Sequence, residues 1–162
     1  LHCIGDLERI GDHAVNVAHS AKEMNEKKLR FTEAAEAELK VYANAIKDIL
    51  VAAVSALETQ DEKVARSVEP LEEVIDDLSD ELMSRHVRRL RKGECTIEMG
   101  FVLADIMNNY ERVSDHCSNI AICAIQETED VEAHQYLEKM RSADNADFVK
   151  AVENYTKKYL LP

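Results

Sequence analysis

The segment DLERIGDHAVNVA, from Asp6 to Ala18, returns 103 residues later as NYERVSDHCSNIA, from Asn109 to Ala121. Over the eleven positions from Glu8 and Glu111 onward, six residues are identical, and Ile10/Val113 and Val17/Ile120 exchange one β-branched side chain for another. A chain that echoes itself in this way contains parts of two copies of one structural unit. The copies also share an apolar phase: Leu7, Ile10, Ala14, Val17 and Ala21 match Tyr110, Val113, Cys117, Ile120 and Ala124. Such spacings of three and four residues belong to an amphipathic helix, so each copy is predicted to form one.

The polar residues of the repeat carry the functional expectation. Positions four apart on a helix point the same way, which puts Glu8 beside Asp12 and Glu111 beside Asp115 at the edge of the apolar stripe. Like charges at this spacing destabilise a helix by about 0.2–0.5 kcal/mol, so a cation is expected opposite. Gly11 and Ser114 keep the space between the carboxylates small. A mid-helix glycine costs about 1 kcal/mol against alanine, which makes Gly11 the expected place for a close helix approach.

A third pair, Glu72 and Asp76, lies in EPLEEVIDDLSDEL beside the apolar row Val64, Val68, Leu71, Ile75, Leu78, Leu82. Antiparallel packing would face this pair with Glu111 and Asp115, and four converging carboxylates form an oxygen cage for a metal cation. Alternatively, the acids are solvated or paired with Arg9, Arg66, Arg85 and Arg112. His13 and His116 follow the aspartates directly and are turned from them by about 100°; they are secondary candidates, either as ligands or as hydrogen-bonding core residues.

Composition narrows the function classes. The net charge of −12 argues against a nucleic-acid surface, which needs clustered basic residues. The one basic run, RHVRRLRK from Arg85 to Lys92, reads first as a solvated helix end and only secondarily as a contact for phosphate or anionic lipid. Four cysteines without CxxC spacing read as reduced thiols of a cytosolic protein. No apolar run approaches the roughly 20 residues of a membrane span.

With four glycines and two prolines in 162 residues, an all-α up-down bundle is predicted. One helix is expected from about Asp6 to Lys27, and a second after an N-cap at Thr32. A third should run from about Asp61 to Lys92, kinked or divided by Pro70, and a fourth from near Thr96 to about Thr128. The expected organisation is 1–28 as the last helix of a truncated first unit, 32–128 as a complete three-helix unit, and 131–162 as a helical tail. Tyr136, Phe148, Tyr155 and Tyr159 are its predicted aromatic anchors. Because few residues precede Glu8 and Leu1 stands in place of an initiator Met, the chain is expected to be a fragment of a longer polypeptide.

The motifs ERIGDHAVNVA and ERVSDHCSNIA resemble the signature of PhoU-domain proteins, whose two three-helix bundles each carry Glu/Asp-x-x-x-Asp motifs. The resemblance covers about Asp6 to Thr128, departing where Ser114 and Cys117 replace the usual Gly and Ala. The ending YTKKYLLP is similar to the C-terminus of bacterial sodium-dependent phosphate cotransporter relatives, in which a PhoU-like region follows the membrane domain. The resemblance implies a regulatory domain on the cytoplasmic side of the membrane, partnered with a phosphate transporter domain upstream in the same polypeptide. It also implies divalent or trivalent metal ions, iron or zinc foremost, held by Glu72, Asp76, Glu111 and Asp115, with Glu8 and Asp12 serving the truncated unit.

A di-metal carboxylate enzyme is disfavoured, since the Glu-x-x-His spacing is absent and no nucleophile signature or glycine-rich phosphate loop occurs. The rival is a helical protein-interaction module without bound metal. A chain holding half of one bundle is also a candidate for homo-oligomer formation.

Overall fold

A computed structural model describes residues 2–126, 133–142 and 144–162. The apolar phases produce helices throughout, with no strand among the described residues: α1 (His2–Glu26), α2 (Glu33–Thr59), α3 (Glu62–Arg66), α4 (Val68–Arg91), α5 (Ile97–Gln126), α6 (Ala133–Met140) and α7 (Ala146–Lys158). The expected extension of the fourth helix to Thr128 and the expected tail start at Val131 lie outside the described residues.

Local chemistry sets the helix ends. The Thr32 hydroxyl accepts from the Ala35 N–H and caps α2, satisfying one of the donors a helix start leaves free. Pro70 divides the third predicted helix: it has no N–H for the Arg66 carbonyl and its ring crowds that turn, so α3 stops at Arg66 and α4 begins afresh at Val68. At the far end of α4, Gly93 takes φ 72°, and the N–H groups of Gly93 and Glu94 close back onto the carbonyls of Leu90 and Arg89. This tight stop returns α5 antiparallel to α4.

The core lies where α2, α4 and α5 pack on one another. Tyr42 and Ile49 of α2, Leu71, Ile75 and Leu82 of α4, and Leu103, Met107, Ile120 and Ile125 of α5 are its large, fully buried side chains. Each aliphatic side chain among them contributes about 1.5–3 kcal/mol by leaving water. Of the tail anchors, Tyr136, Phe148 and Tyr159 are buried and Tyr155 packs partly against the core. α7 lies on α4, and the Tyr159 hydroxyl and Lys158 both reach Asp48 of α2, at 2.5 and 2.7 Å.

The basic run at the end of α4 is not simply solvated. Arg85 and Arg89 both pair with Glu38, which is only 3% exposed, and Arg88 pairs with Glu81. A buried carboxylate needs such compensation, so the guanidinium groups of Arg85 and Arg89 serve the fold. The four cysteines are free thiols, and no described helix is long and apolar enough to cross a membrane.

α1 packs antiparallel along α5, but not with the face the repeat suggests. In α5, Val113, Cys117, Ile120 and Ala124 are buried in the core, whereas in α1 the equivalent Ala14 and Ala21 are exposed and Ile10 and Val17 half-buried. Gly11 correspondingly has open space where a Cβ would stand, while its counterpart Ser114 is fully buried. The close approach expected at Gly11 is therefore not made among the described residues, because α1 uses its opposite side to meet α5.

Candidate functional site

Antiparallel packing sets an acidic row of α4 against an acidic row of α5. Glu69, Glu72 and Asp76 follow one another along one face of α4, at spacings of three and four residues. The neighbours on α5 run in the opposite order: Ser118 donates to Glu69 at 2.5 Å, Asp115 lies near both Glu72 and Asp76, and Glu111 lies near Asp76. Asp76, Glu111 and Asp115 line a polar cleft of about 490 Å³ together with Asn108 and Arg112.

Burial and like charge set the electrostatics of the cleft. Burial, with the charges of Glu111 and Asp115, raises the Asp76 carboxyl to about 6. The Glu111 carboxyl is raised as well, by burial and by the charges of Asp115 and Asp80. Arg112 offsets part of this repulsion through Asp115, at 3.2 Å, but it is exposed and screened. Beneath the cleft, the Tyr42 hydroxyl is fully buried beside Ser79, Asp76 and Glu111, and no well-aligned hydrogen bond reaches it among the described residues. Burial pushes its pKa well above the usual phenol value.

Glu72 is drawn to the end of the row. Arg141, just after α6, places Nη2 at 2.9 Å from Glu72 and Nε at 2.6 Å from Glu69. One guanidinium charge shared by two carboxylates cannot balance both. Burial, and the charges of Glu69 and Asp76, hold the Glu72 carboxyl at about 8 against the partial relief from Arg141.

Glu8 and Asp12 are exposed on α1. His13 and His116 sit in the seam between α1 and α5 rather than in the cleft. The His13 Nδ1 donates to Asn109 and the His116 Nδ1 to Asp6, both at 2.8 Å, with Asn16 and Asn119 donating to the same two acceptors. Asp6 and Asn109 occupy equivalent places in the two repeats, as do the histidines and the asparagines. The seam is thus a pseudo-two-fold contact of the repeat with itself.

No three His, Cys, Asp or Glu residues among the described ones are placed to hold a metal ion together. The donor type of the cleft, though not the placement of its side chains, is that of a metal site. Its donors are carboxylate oxygens, the ligand type that hard and borderline cations take, and the Asp76 and Glu111 carboxyls are raised by burial and by neighbouring charge. Sequence reasoning missed Arg141, Glu69 and Tyr42. Glu69 could have been found from its spacing of three and seven to Glu72 and Asp76. Arg141 belongs to a distant segment, and no periodicity joins it to the row.

The family model of the PhoU domain matches residues 39–124, more than half of the chain, from the first turns of α2 almost to the end of α5. The chain belongs to the PhoU domain family. This PhoU domain is also similar to the phosphate-specific transport system accessory protein PhoU homolog 1 of Thermotoga maritima, at 30% identity over 115 residues. The aligned part is 71% of this chain and 49% of the relative, so the chain spans about half the length of that curated relative. No solved structure matches the chain. Asp76, Glu111 and Asp115 all fall within the residues matched to the PhoU domain.

Proposed function

We propose that this chain is a regulatory domain of a phosphate transport system, and that a metal ion bound between α4 and α5 sets its packing. The observation that carries the metal is the cleft itself, where Asp76, Glu111 and Asp115 share one polar space. The transport role rests on membership of the PhoU domain family and on likeness to a phosphate-specific transport accessory protein. The partner is a membrane phosphate transporter, and similarity of the C-terminal YTKKYLLP to sodium-dependent cotransporter relatives favours one upstream in the same polypeptide, with this domain on the cytoplasmic side.

Asp76, Glu111 and Asp115 would hold the ion, with Glu72 joining from the end of the row. The ion supplies positive charge that lets the carboxylates ionise together; iron or zinc is favoured by the family resemblance. Ordering of these carboxylates draws α4 towards α5, and the α4 surface that carries α7 is the route by which the change reaches a partner.

The test is phosphate uptake in cells producing the transporter with the wild-type chain or with Glu111→Gln and Asp115→Asn together. Uptake should respond differently to external phosphate in the variant. Unchanged regulation in a variant that has lost its metal would remove the cleft from the mechanism.

A second reading is favoured by the Arg112 and Arg141 contacts: the acids serve only to bind cationic side chains, and the bundle is a docking module. It requires that the folded chain take up no metal.

A further inference from the structure

The acidic cleft is one end of a longer exposed face. α4 and α5 approach closely at Gly100, where a Cβ would meet the His86 Nε2 at 2.9 Å. Because the two helices are antiparallel, the residue after each of these turns to the same outer side, which brings Val87 and Phe101 out together. Phe101 is 72% exposed and Val87 41%, and Ile97, one turn before Phe101, is 66% exposed. Spacings of three and four carry the same face onward to Asp80 and Asp76 on α4 and to Asn108, Glu111 and Asp115 on α5. The charge of Asp80 acts on the Glu111 carboxyl, so the acids of the two helices adjoin as their apolar residues do. Arg112 lies on this face as well, turned towards Asp115.

We propose that this face docks a cationic amphipathic helix of a partner protein, whose apolar side chains cover Phe101, Ile97 and Val87 and whose Lys or Arg residues reach Asp80 and Asp76. Single exposed hydrophobic residues are ordinary, but three gathered on one two-helix face mark a surface built to be covered. Charge selects the occupant. The acids beside the apolar end repel an acidic segment, a nucleic acid or an anionic lipid and attract a basic one, as does the net charge of −12. Spacing selects its form. Asp80 and Asp76 stand seven and eleven residues before Val87, about 10 and 16 Å along α4, so one helix laid on the face meets the apolar end and the acids in successive turns. The proposal does not rest on the metal-binding reading, because neither the apolar end nor Asp80 lines the cleft.

The test titrates the full chain, in EDTA, into a fluorescent helical peptide of about 18 residues on an Ala/Gln background, with Leu at helical spacing in its first turns and Lys in its later ones. A second peptide carries Glu in place of Lys. The Lys peptide should bind, more weakly as salt rises, and the Glu peptide should not. Phe101→Ser and Asp80→Lys should each weaken the binding at least about tenfold. Both residues are exposed, so circular dichroism should show wild-type helicity in each variant. Absence of binding, equal binding of the two peptides, or binding untouched by Phe101→Ser overturns the proposal and leaves the metal reading standing. A wild-type dimer in sedimentation that Phe101→Ser dissociates also overturns it, by assigning the face to a second copy of the chain.

Discussion

The imidazole of His13 stacks on that of His116, ring centroids 5.7 Å apart, although 103 positions separate them in the chain. Each ring donates from Nδ1 to the first residue of the other repeat, Asn109 for His13 and Asp6 for His116. The feature that the two repeats share is therefore also their contact with one another. His116 is 8% exposed whereas His13 is only half-buried, so the two ends of this contact differ in cost.

Asp6→Ala leaves the Nδ1 of a buried histidine without its acceptor and should destabilise the fold by about 1–3 kcal/mol. Asp6→Asn should cost far less, because Asn109 already performs the same task for His13. Urea denaturation of the two variants measures the difference. Equal midpoints for Asp6→Ala and the wild type would mean that the seam does not hold α1 in place.

The acidic row also makes stability depend on pH. Unfolded carboxylates titrate near ~4, whereas Asp76 is raised to about 6 and Glu72 to about 8. The folded chain holds these protons more tightly than the unfolded one. Their stabilising contribution is complete below the unfolded values and is lost as pH rises through about 6 and then about 8. In metal-free protein the melting temperature should fall between about pH 5 and about pH 8.5. Glu72→Gln should flatten the upper part of that fall, which a thermal scan across pH reads directly. A melting temperature that rises over this range would contradict the assigned burial of the row.

Two glycines should respond with opposite sign. Gly11 sits in helical backbone with open space around it, so Gly11→Ala should stabilise by about 0.5–1 kcal/mol through helix propensity and reduced freedom of the unfolded chain. At Gly100 a Cβ would meet the His86 Nε2 at 2.9 Å, and His86 is itself buried. Gly100→Ala should cost about 1–3 kcal/mol as an overpacked contact. Denaturation midpoints check both. Destabilisation by Gly11→Ala would show that another helix covers that face in solution.

The bundle was legible in the sequence because its signals are local or periodic. Thr32 announces α2, Gly93 announces the end of α4, and the stripe from Val113 to Ala124 announces the core face of α5. The antiparallel facing of Asp76 with Glu111 and Asp115 follows from the same phases. The repeat misled where identity of pattern was taken for identity of environment. α5 buries its stripe under α2 and α4, whereas on α1 the same stripe is covered only partly, at Ile10 and Val17, and α1 binds mainly through Asp6, His13, Asn16 and Ser20. Asp6 and His13 are seven apart and share a face, a signal present in the sequence but read as separate polar features. The contact of Arg141 with Glu72 depends on how α6 returns to the bundle, and residue spacing carries no trace of it.

The central proposal is that Asp76, Glu111 and Asp115 bind a metal ion between α4 and α5. Elemental analysis of the full chain prepared without added metal, followed by calorimetric titration with Zn²⁺ and Mn²⁺, tests it most directly. The wild type should carry or take up metal, and Glu111→Gln combined with Asp115→Asn should weaken that binding by at least about tenfold, a loss of about 1.4 kcal/mol, while remaining folded. A folded wild type that takes up neither ion, or a double variant that binds them equally well, would contradict it.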